Sequence, residues 1–408
     1  MIRRPFRRFL RWLTVLMASY LIVSATFTTT VDPWRFHNAP WAVQALDDSR
    51  DISKEMRIGK AALANRGDWQ AVILGSSRLE IALDPFHPAF KDRRAVNLAM
   101  SGAMLYEIIA AGNYALDRNP WIRTVLLGID PGDLHSDADS RPNNLFYQSP
   151  FADNNQSIER AINQLIGAEA LAESIATLQR HFQGAPSHYS RLGQMLIPPD
   201  HGNLRRFIEH DFIEDYADQW GYRPQVLRVR KAELLAAFIN RARLAGMETH
   251  LVIAPQHALK QIHPTADRPD KMVWEADFLT LLDICKKANA VPAKGPSVKL
   301  WNFLTFNPYT TTPMPGADSS SPRMPGWFDL GHAGKSLGDR VLDTIFAGQP
   351  GVAAPPEPVG VCLSQENWNV QRAAWIEAHE QYCGSHAQDV AWWRALVSRN
   401  SQGVKPSR

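Results

Sequence analysis

The sequence predicts an α/β fold in which a parallel sheet of five strands is flanked by helices, with a helical insertion and an N-terminal transmembrane helix. Two observations support this prediction. Short aliphatic runs alternate with segments of helical periodicity, and one uncharged run near the N-terminus is as long as a bilayer-spanning helix. The predicted strands lie within residues 71–75, 95–103, 124–130, 249–255 and 298–304.

The N-terminal segment predicts a membrane anchor. Residues 1–11 contain five arginines and no acidic residue, and residues 12–31 contain no charge. A helix of that length spans the hydrocarbon core, and flanking arginines favour the cytoplasmic side. We therefore expect a single-pass anchor in the inner membrane, with the rest of the chain in the periplasm. A cleaved signal peptide is the alternative, because Val23-Ser24-Ala25 resembles a small-x-small cleavage site.

Composition indicates a globular body, since 45% of the residues are apolar and 21% are charged. The net charge of +3 comes largely from the N-terminal arginines, so there is no electrostatic reason to expect nucleic-acid binding. The chain has no CxxC or HExxH motif, and we expect no metal site and no cofactor. Among its cysteines, Cys285 is expected to be buried, whereas Cys362 and Cys383 are expected to form a disulfide in the periplasm.

Helices are predicted between the strands, because apolar residues recur there every three or four positions. They cover residues 50–65, 104–117, 157–182, 227–244 and 272–288, and a last helix carries Leu337, Val341 and Ile345. Residues 135–225 are predicted as a helical insertion, which is either a cap over the site or a structural elaboration. The complete division is an anchor at 1–31, a lead-in at 32–70, an α/β domain at 71–347, a Pro-rich linker at 348–360 and a helical appendage at 361–408.

A serine, a histidine and an aspartate are expected to meet at one edge of the sheet, where parallel strands present their carboxyl ends. Ser77 follows the first strand, and Asp329 and His332 lie three residues apart before the last helix. A serine hydroxyl becomes a nucleophile when a base takes its proton, and a carboxylate orients that base. The sequence therefore predicts a catalytic triad. The alternative is that Gly75-Ser76-Ser77 only caps the following helix.

The same edge offers candidates for an oxyanion hole. The turn at Ser101-Gly102 follows the second strand, and its glycine presents an unhindered backbone N–H. Asp130 ends the third strand at the same edge. Gly102 and Asp130 are therefore the candidate oxyanion residues.

These segments resemble, in order, the four blocks of the SGNH/GDSL hydrolase superfamily: Gly75-Ser76-Ser77, the turn from Asn97 to Gly102, Gly128-Ile129-Asp130, and Asp329 with His332. The resemblance covers about residues 70–346 without the insertion, and it implies a flavodoxin-like SGNH fold. It also implies a Ser77–His332–Asp329 triad with oxyanion donors from the backbones of Ser77 and Gly102. With its anchor, the chain looks most like periplasmic SGNH proteins such as alginate O-acetyltransferases and the D-alanine transfer proteins of teichoic acid.

One position departs from the family pattern. The third block of the family usually supplies an asparagine to the oxyanion hole, whereas this chain has Asp130 there. A carboxylate donates no hydrogen bond unless it is protonated. Either the hole has two donors, or Asp130 binds Arg78 or a substrate hydroxyl instead.

The resemblance implies transfer of an acyl group, acetyl first, to a cell-surface polysaccharide through an acyl-Ser77 intermediate. The donor would be a membrane-embedded partner protein, because acyl-CoA is not available outside the cytoplasm. Two alternatives remain: a periplasmic carbohydrate esterase with the same triad, and a non-catalytic scaffold or glycan-binding component of polysaccharide export. Arg78 and His257 are candidate substrate-binding residues, although Arg78 could instead pair with a carboxylate and His257 could be a loop residue.

Overall fold

The computed structural model describes residues 3–130, 132–134, 144–152, 157–198, 200–212, 228–262, 274–293, 295–316, 318, 324–352 and 357–401. Its strands are β1 Ala71–Leu74, β2 Ala95–Asn97, β3 Thr124–Gly128, β4 Glu248–Ile253, β5 Lys299–Asn302 and β6 Val361–Leu363. Its helices are α1 Arg3–Val31, α2 Met56–Ala64, α3 Ser77–Ala82, α4 Leu105–Arg118, α5 Asn144–Tyr147, α6 Ser157–Ile166, α7 Ala168–Gln183, α8 Leu204–Phe207, α9 Val229–Leu244, α10 Ala258–Gln261, α11 Glu275–Ala290, α12 Lys335–Ile345, α13 Trp368–Ser385 and α14 Ala387–Ser401. Short 3₁₀ helices lie at Gln44–Leu46 and Pro88–Phe90, and a π-helical turn lies at Ile208–Phe212.

The six strands form one sheet in the order β2-β1-β3-β4-β5-β6. The first five are mutually parallel, and β6 pairs antiparallel with β5. The order of the parallel strands is the doubly wound order in which the connections reverse direction between β1 and β3. The predicted α/β class and the five parallel strands are confirmed. The prediction missed the sixth strand, whose three residues directly follow the Pro-rich segment and pair with the edge of β5.

Successive side chains of each central strand pack alternately into two separate hydrophobic cores, one on each face of the sheet. In β1, Val72 and Leu74 face one core and Ala71 and Ile73 face the other. The strands β3 and β4 alternate in the same way. A strand buried on both faces favours apolar side chains at successive positions, which is why Val72-Ile73-Leu74, Val125-Leu126-Leu127 and Leu251-Val252-Ile253 appear as aliphatic runs in the sequence. The helices α2, α4, α9 and α11 cover the first face, and α3, α10, α12 and α14 cover the second.

The helix α1 is long and apolar enough to span a membrane. Every side chain from Pro5 to Val23 is exposed, whereas the last turns of the helix pack against α6 and α7. Thr28 Oγ1 donates a hydrogen bond to the carbonyl of Leu165, 2.5 Å away. The buried Arg50 donates from Nε and Nη2 to the carbonyl of Val31. The end of α1 is therefore part of the folded body.

The described part of the predicted insertion at 135–225 contains the helices α5 to α8 and an irregular segment at 185–198, while residues 135–143, 153–156, 199 and 213–225 lie outside the described part. The helix predicted at 157–182 is two helices, α6 and α7, with a break at Gly167, which has extended backbone angles. After α7 the chain runs along the free edge of β2, where the Asn97 N–H donates to the Leu192 carbonyl. The insertion thus packs against both α1 and the edge strand β2 of the sheet.

The C-terminal segment is built into the sheet. It supplies β6, and its tryptophans Trp368, Trp375 and Trp393 are buried in the two cores. The indole N–H of Trp375 donates to the carbonyl of Leu304, just after β5. The segment is therefore more than the appendage that the sequence predicted.

The predicted disulfide between Cys362 and Cys383 is wrong, because both thiols are free in the structure. Pairing of β6 with β5 places Cys362 opposite Trp301, near the buried Cys285. Cys383, on α13, packs against the second core. The sequence suggested the pairing because the two cysteines bracket a short segment, whereas Cys362 lies in a strand of the sheet that the sequence did not reveal.

Candidate active site

Two adjacent serines at the end of β1 have different structural roles. Ser76 is the N-cap of α3, and its Oγ accepts a hydrogen bond from the Arg78 N–H at 3.4 Å. Ser77 is the first residue of the helix, so its side chain is not needed as a cap. At that position a backbone N–H has no acceptor within the helix. Ser77 therefore presents both a hydroxyl and an N–H at the carboxyl edge of the sheet.

The Ser77 hydroxyl is the first member of a chain of hydrogen bonds. Ser77 Oγ lies 2.7 Å from His332 Nε2. His332 Nδ1 lies 2.6 Å from Asp329 Oδ2. A carboxylate can only accept, so Nδ1 carries the proton and Nε2 is the acceptor for the serine hydroxyl. This is the arrangement in which a histidine can take the serine proton as a general base.

Asp329 is almost fully buried, with 7% of its side chain exposed, whereas 27% of the His332 side chain is exposed. The second carboxylate oxygen, Oδ1, accepts the N–H groups of Gly331 at 2.6 Å and of His332 at 2.9 Å. Burial alone would raise the pKa of Asp329. The His332 ring, Lys260 and the Gly331 N–H outweigh burial and hold the pKa of Asp329 well below its usual range. The carboxylate is thus kept charged and oriented by its own loop.

Lys260 lies behind this loop, on the short helix α10. It is buried, and a methyl group placed on Gly331 would come within 2.7 Å of its Nζ, so the ammonium group lies directly against the loop. Burial lowers the pKa of Lys260 to about 7, with Arg78 acting in the same direction and Asp329 and Asp130 opposing it. A positive charge at this place favours the ionised form of Asp329.

His257 supports the loop that carries Asp329 and His332 from the interior. Its N–H donates to the carbonyl of Leu330, between Asp329 and His332. Its ring is fully buried, with Nε2 bound to the carbonyl of Thr312 at 2.7 Å and Nδ1 accepting the Leu259 N–H. Burial lowers the pKa of His257 to about 4. Both ring nitrogens are occupied within the protein, so the structure leaves His257 no free group for a substrate.

The turn proposed for the oxyanion hole lies next to the serines. Met100 forms a parallel bridge with Ser76, and its N–H donates to the carbonyl of Gly75. The Ala103 N–H then closes a turn on the Met100 carbonyl. Gly102 has a φ of +65°, which a glycine adopts without strain at the third position of such a turn. Its backbone is exposed beside the end of β1.

Asp130 and Arg78 form an ion pair at the end of β3. Arg78 Nη1 lies 2.8 Å from Asp130 Oδ1, at an angle outside that of a hydrogen bond, and both side chains remain partly exposed. The Asp130 N–H donates to Asp133 Oδ2 at 3.2 Å. Burial and the neighbouring Asp130 raise the pKa of Asp133 to about 7. Of the options that the sequence left open for Asp130, the structure contains the pairing with Arg78.

These residues occupy the place where the strand order reverses, between β1 and β3, which is where open α/β sheets bind their ligands. The described residues contain no group of three His, Cys, Asp or Glu side chains able to hold a metal ion. Two residues of the site were not identified from the sequence, Lys260 and Glu80. Glu80 could have been noticed because an acidic residue between Leu79 and Ile81 is unusual in a buried helix. No sequence pattern around Lys260 pointed to its role.

No protein-family model, no curated protein and no solved structure matches this chain. The resemblance to the SGNH superfamily therefore remains a proposal.

Proposed function

We propose that this chain is a membrane-anchored, SGNH-type O-acyltransferase that transfers an acyl group, acetyl first, to a cell-surface polysaccharide. The observation that supports this most strongly is the continuous chain of hydrogen bonds from Ser77 through His332 to Asp329. The structure also holds an N-terminal helix long enough to anchor the site at a membrane. We infer that the body lies in the periplasm, and a reporter fused after residue 60 should be active only there.

The proposed reaction proceeds in two acyl transfers. His332 Nε2 takes the proton of Ser77 as Oγ attacks the carbonyl carbon of the donor ester or thioester. The backbone N–H groups of Ser77 and Gly102 stabilise the oxyanion. The leaving group takes the proton from His332 and departs, leaving acyl-Ser77. A sugar hydroxyl then gives its proton to His332 and attacks the acyl carbon, and His332 returns that proton to Ser77 Oγ as the acyl–serine bond breaks.

Asp329 stabilises the imidazolium that forms in each step and keeps its Nδ1 protonated. We infer that the donor is supplied by a membrane-embedded acyl carrier partner. Hydrolysis is the alternative outcome of the same intermediate, and the exposed part of His332 favours it as a second candidate, because water can reach the base. The proposed partners are thus the polysaccharide, the membrane and the donor protein.

The test is covalent labelling of Ser77 by an activated acetyl ester and by a serine-directed phosphonate. Ser77→Ala and His332→Ala should each abolish labelling, and the double variant should be no worse, because these groups act as a unit. Asp329→Asn should lose roughly a thousandfold or more in rate. In cells, Ser77→Ala should abolish polysaccharide acylation.

Ser76→Ala is the matched control. It removes the neighbouring hydroxyl, which caps α3, and should cost about 1 kcal/mol of stability while labelling continues. Full polysaccharide acylation by folded Ser77→Ala protein would exclude the enzyme and favour the scaffold. Labelling without any transfer to polysaccharide in cells would favour the esterase.

A further inference from the structure

A buried polar network connects the helix that carries Ser77 with the turn that carries Gly102. Its centre is Glu80, which lies three residues after Ser77 in α3 and is fully buried. Glu80 Oε2 accepts a hydrogen bond from Ser101 Oγ at 2.6 Å. Ser101 directly precedes Gly102, so a single hydrogen bond joins one turn of the nucleophile helix to the turn proposed for the oxyanion hole.

The other carboxylate oxygen of Glu80 is held from two sides. Tyr189 donates its hydroxyl to Oε1 at 2.9 Å, and Lys60 Nζ lies 3.2 Å from the same oxygen. Lys60 is fully buried and also donates to the carbonyls of Asn97 and Gly193. Three different parts of the chain, α2, the strand β2 and the insertion, therefore fix the position of this carboxylate.

Such a network is costly to build, because burying two charges removes both from water. A buried ion pair is weak evidence for stability, and its better-attested value is that it specifies one arrangement of the groups around it. Here the groups so arranged are the two ends of the candidate site. Around Gly102, by contrast, none of the described residues other than its two chain neighbours has an atom within 4 Å of the place a methyl group would occupy, so their packing does not hold that residue on its side-chain face.

We propose that Glu80 is a positioning residue that sets the oxyanion turn, through Ser101, relative to the Ser77 nucleophile. This inference rests on the proposed acyl-transfer function. An oxyanion donor works when it lies about 2.7–3.1 Å from the developing charge, and a displacement of about 1 Å can cost roughly a hundredfold in rate. The bridge at Met100 holds the start of the turn, and the Ser101 hydroxyl holds its middle.

The experiment uses Ser101 variants of the full chain in detergent. Substitution of Glu80 is avoided, because it would leave the Lys60 charge buried without its partner. Ser101→Ala removes the hydrogen bond to Glu80, and Ser101→Thr keeps the hydroxyl. With a model acetyl ester, Ser101→Ala should lower kcat by about tenfold to a hundredfold while KM stays nearly constant, because the oxyanion forms only in the transition state. Ser101→Thr should restore most of the loss.

Ser174→Ala is the matched control, because Ser174 is fully buried and makes a similarly short hydroxyl bond, 2.7 Å to the carbonyl of Ala170 within α7. Its kcat should equal that of the wild type. A Ser101→Ala variant with full kcat overturns the inference, and so do equal kcat losses in Ser101→Ala and Ser174→Ala. A wild type that is no faster than Ser77→Ala overturns the proposed function and this inference together, so the two failures are distinguishable.

Discussion

Ser76 and Ser77 show how neighbouring identical residues divide two roles at the end of one strand. Ser76 caps the helix, and this leaves Ser77 Oγ for His332. From the sequence, a cap and a nucleophile were competing interpretations of one motif. The two interpretations are compatible, because the helix needs only one N-cap and the motif contains two serines. The three residues of the hydrogen-bonded chain could be named in advance because each follows a strand or opens a helix at the same sheet edge.

The residues missed by the sequence act through tertiary contacts. Lys260 and Glu80 are charged residues buried by elements distant in the chain, and no local pattern predicts which partners will surround them. The sequence correctly predicted that His257 lies at the carboxyl end of β4, on the same edge of the sheet as the site. Its burial depends on the loop at Thr312, which the sequence does not locate.

Asp130 provides the first prediction. An amide at this position can donate a hydrogen bond to the oxyanion, whereas the carboxylate paired with Arg78 cannot. Asp130→Asn should therefore raise kcat for a model ester by about tenfold to a hundredfold. The control is Asp130→Ala, which removes the same negative charge without supplying a donor. If Asn is no faster than Ala in steady-state assays of folded protein, Asp130 does not face the oxyanion.

His257 provides a prediction about acid stability. The pKa of His257 in the folded protein, about 4, lies below that of an exposed histidine. As the pH falls below about 6.5, the unfolded chain therefore binds a proton at this residue before the folded chain does. The neutral, buried ring thus stabilises the folded protein above about pH 6.5, and about 3 kcal/mol of this stabilisation is lost as the pH falls to about 4. His257→Asn keeps a cap acceptor for α10 and should reduce this loss.

Urea unfolding of both proteins at pH 7 and pH 4.5 measures the difference. The variant should show the shallower pH dependence, and its KM for the ester should not change, because the ring does not reach the site. Identical pH slopes would mean that His257 titrates freely in the folded protein. A large rise in KM would return it to the substrate-binding residues.

The strands and helices that have a clear pattern in their own residues were predicted from the sequence. Those that depend on contacts with distant segments were not. The strands β1 and β3 carry aliphatic runs buried on both faces, and β4 ends in such a run, Leu251-Val252-Ile253, so the sequence alone identifies them. The strand β6 pairs with the edge of β5, and the helices α6 and α7 each pack against α1 on either side of Gly167. The same cause explains the disulfide error, since the pairing of β6 decides where Cys362 lies.

The C-terminal helices provide the element-level prediction. Trp393 on α14 is fully buried in the core that also contains β1 residues, whereas Trp121 is largely exposed. Trp393→Ala should lower the free energy of unfolding by about 3–5 kcal/mol, because it opens a large cavity. Trp121→Ala should change it by less than about 1 kcal/mol. A Trp393→Ala protein that keeps its full stability in urea unfolding would show that the segment is a separable appendage.

At the scale of the whole molecule, the helix α1 and the α/β body form one connected structure. The sequence predicted a spanning helix from length and charge, and the structure contains a helix that meets both requirements. It gave no reason to expect the end of that helix to be buried, since uncharged residues that face lipid and residues that face protein look alike in sequence. Contacts at Thr28 and Val31 join the helix to the insertion and the lead-in.

These contacts predict that residues 26–35 are part of the fold and not a flexible tether. A soluble chain that begins at residue 25 keeps the bond from Thr28 to Leu165 and the acceptor of Arg50 at Val31. A chain that begins at residue 36 loses both and leaves the buried Arg50 guanidinium with one fewer acceptor, which should cost about 3 kcal/mol of stability. Urea unfolding of the two chains measures this difference, with Thr28→Ala in the longer chain isolating the first contact. Equal stability of the two truncated chains would mean that the anchor is only tethered to the body, so that the membrane would not fix the orientation of the site.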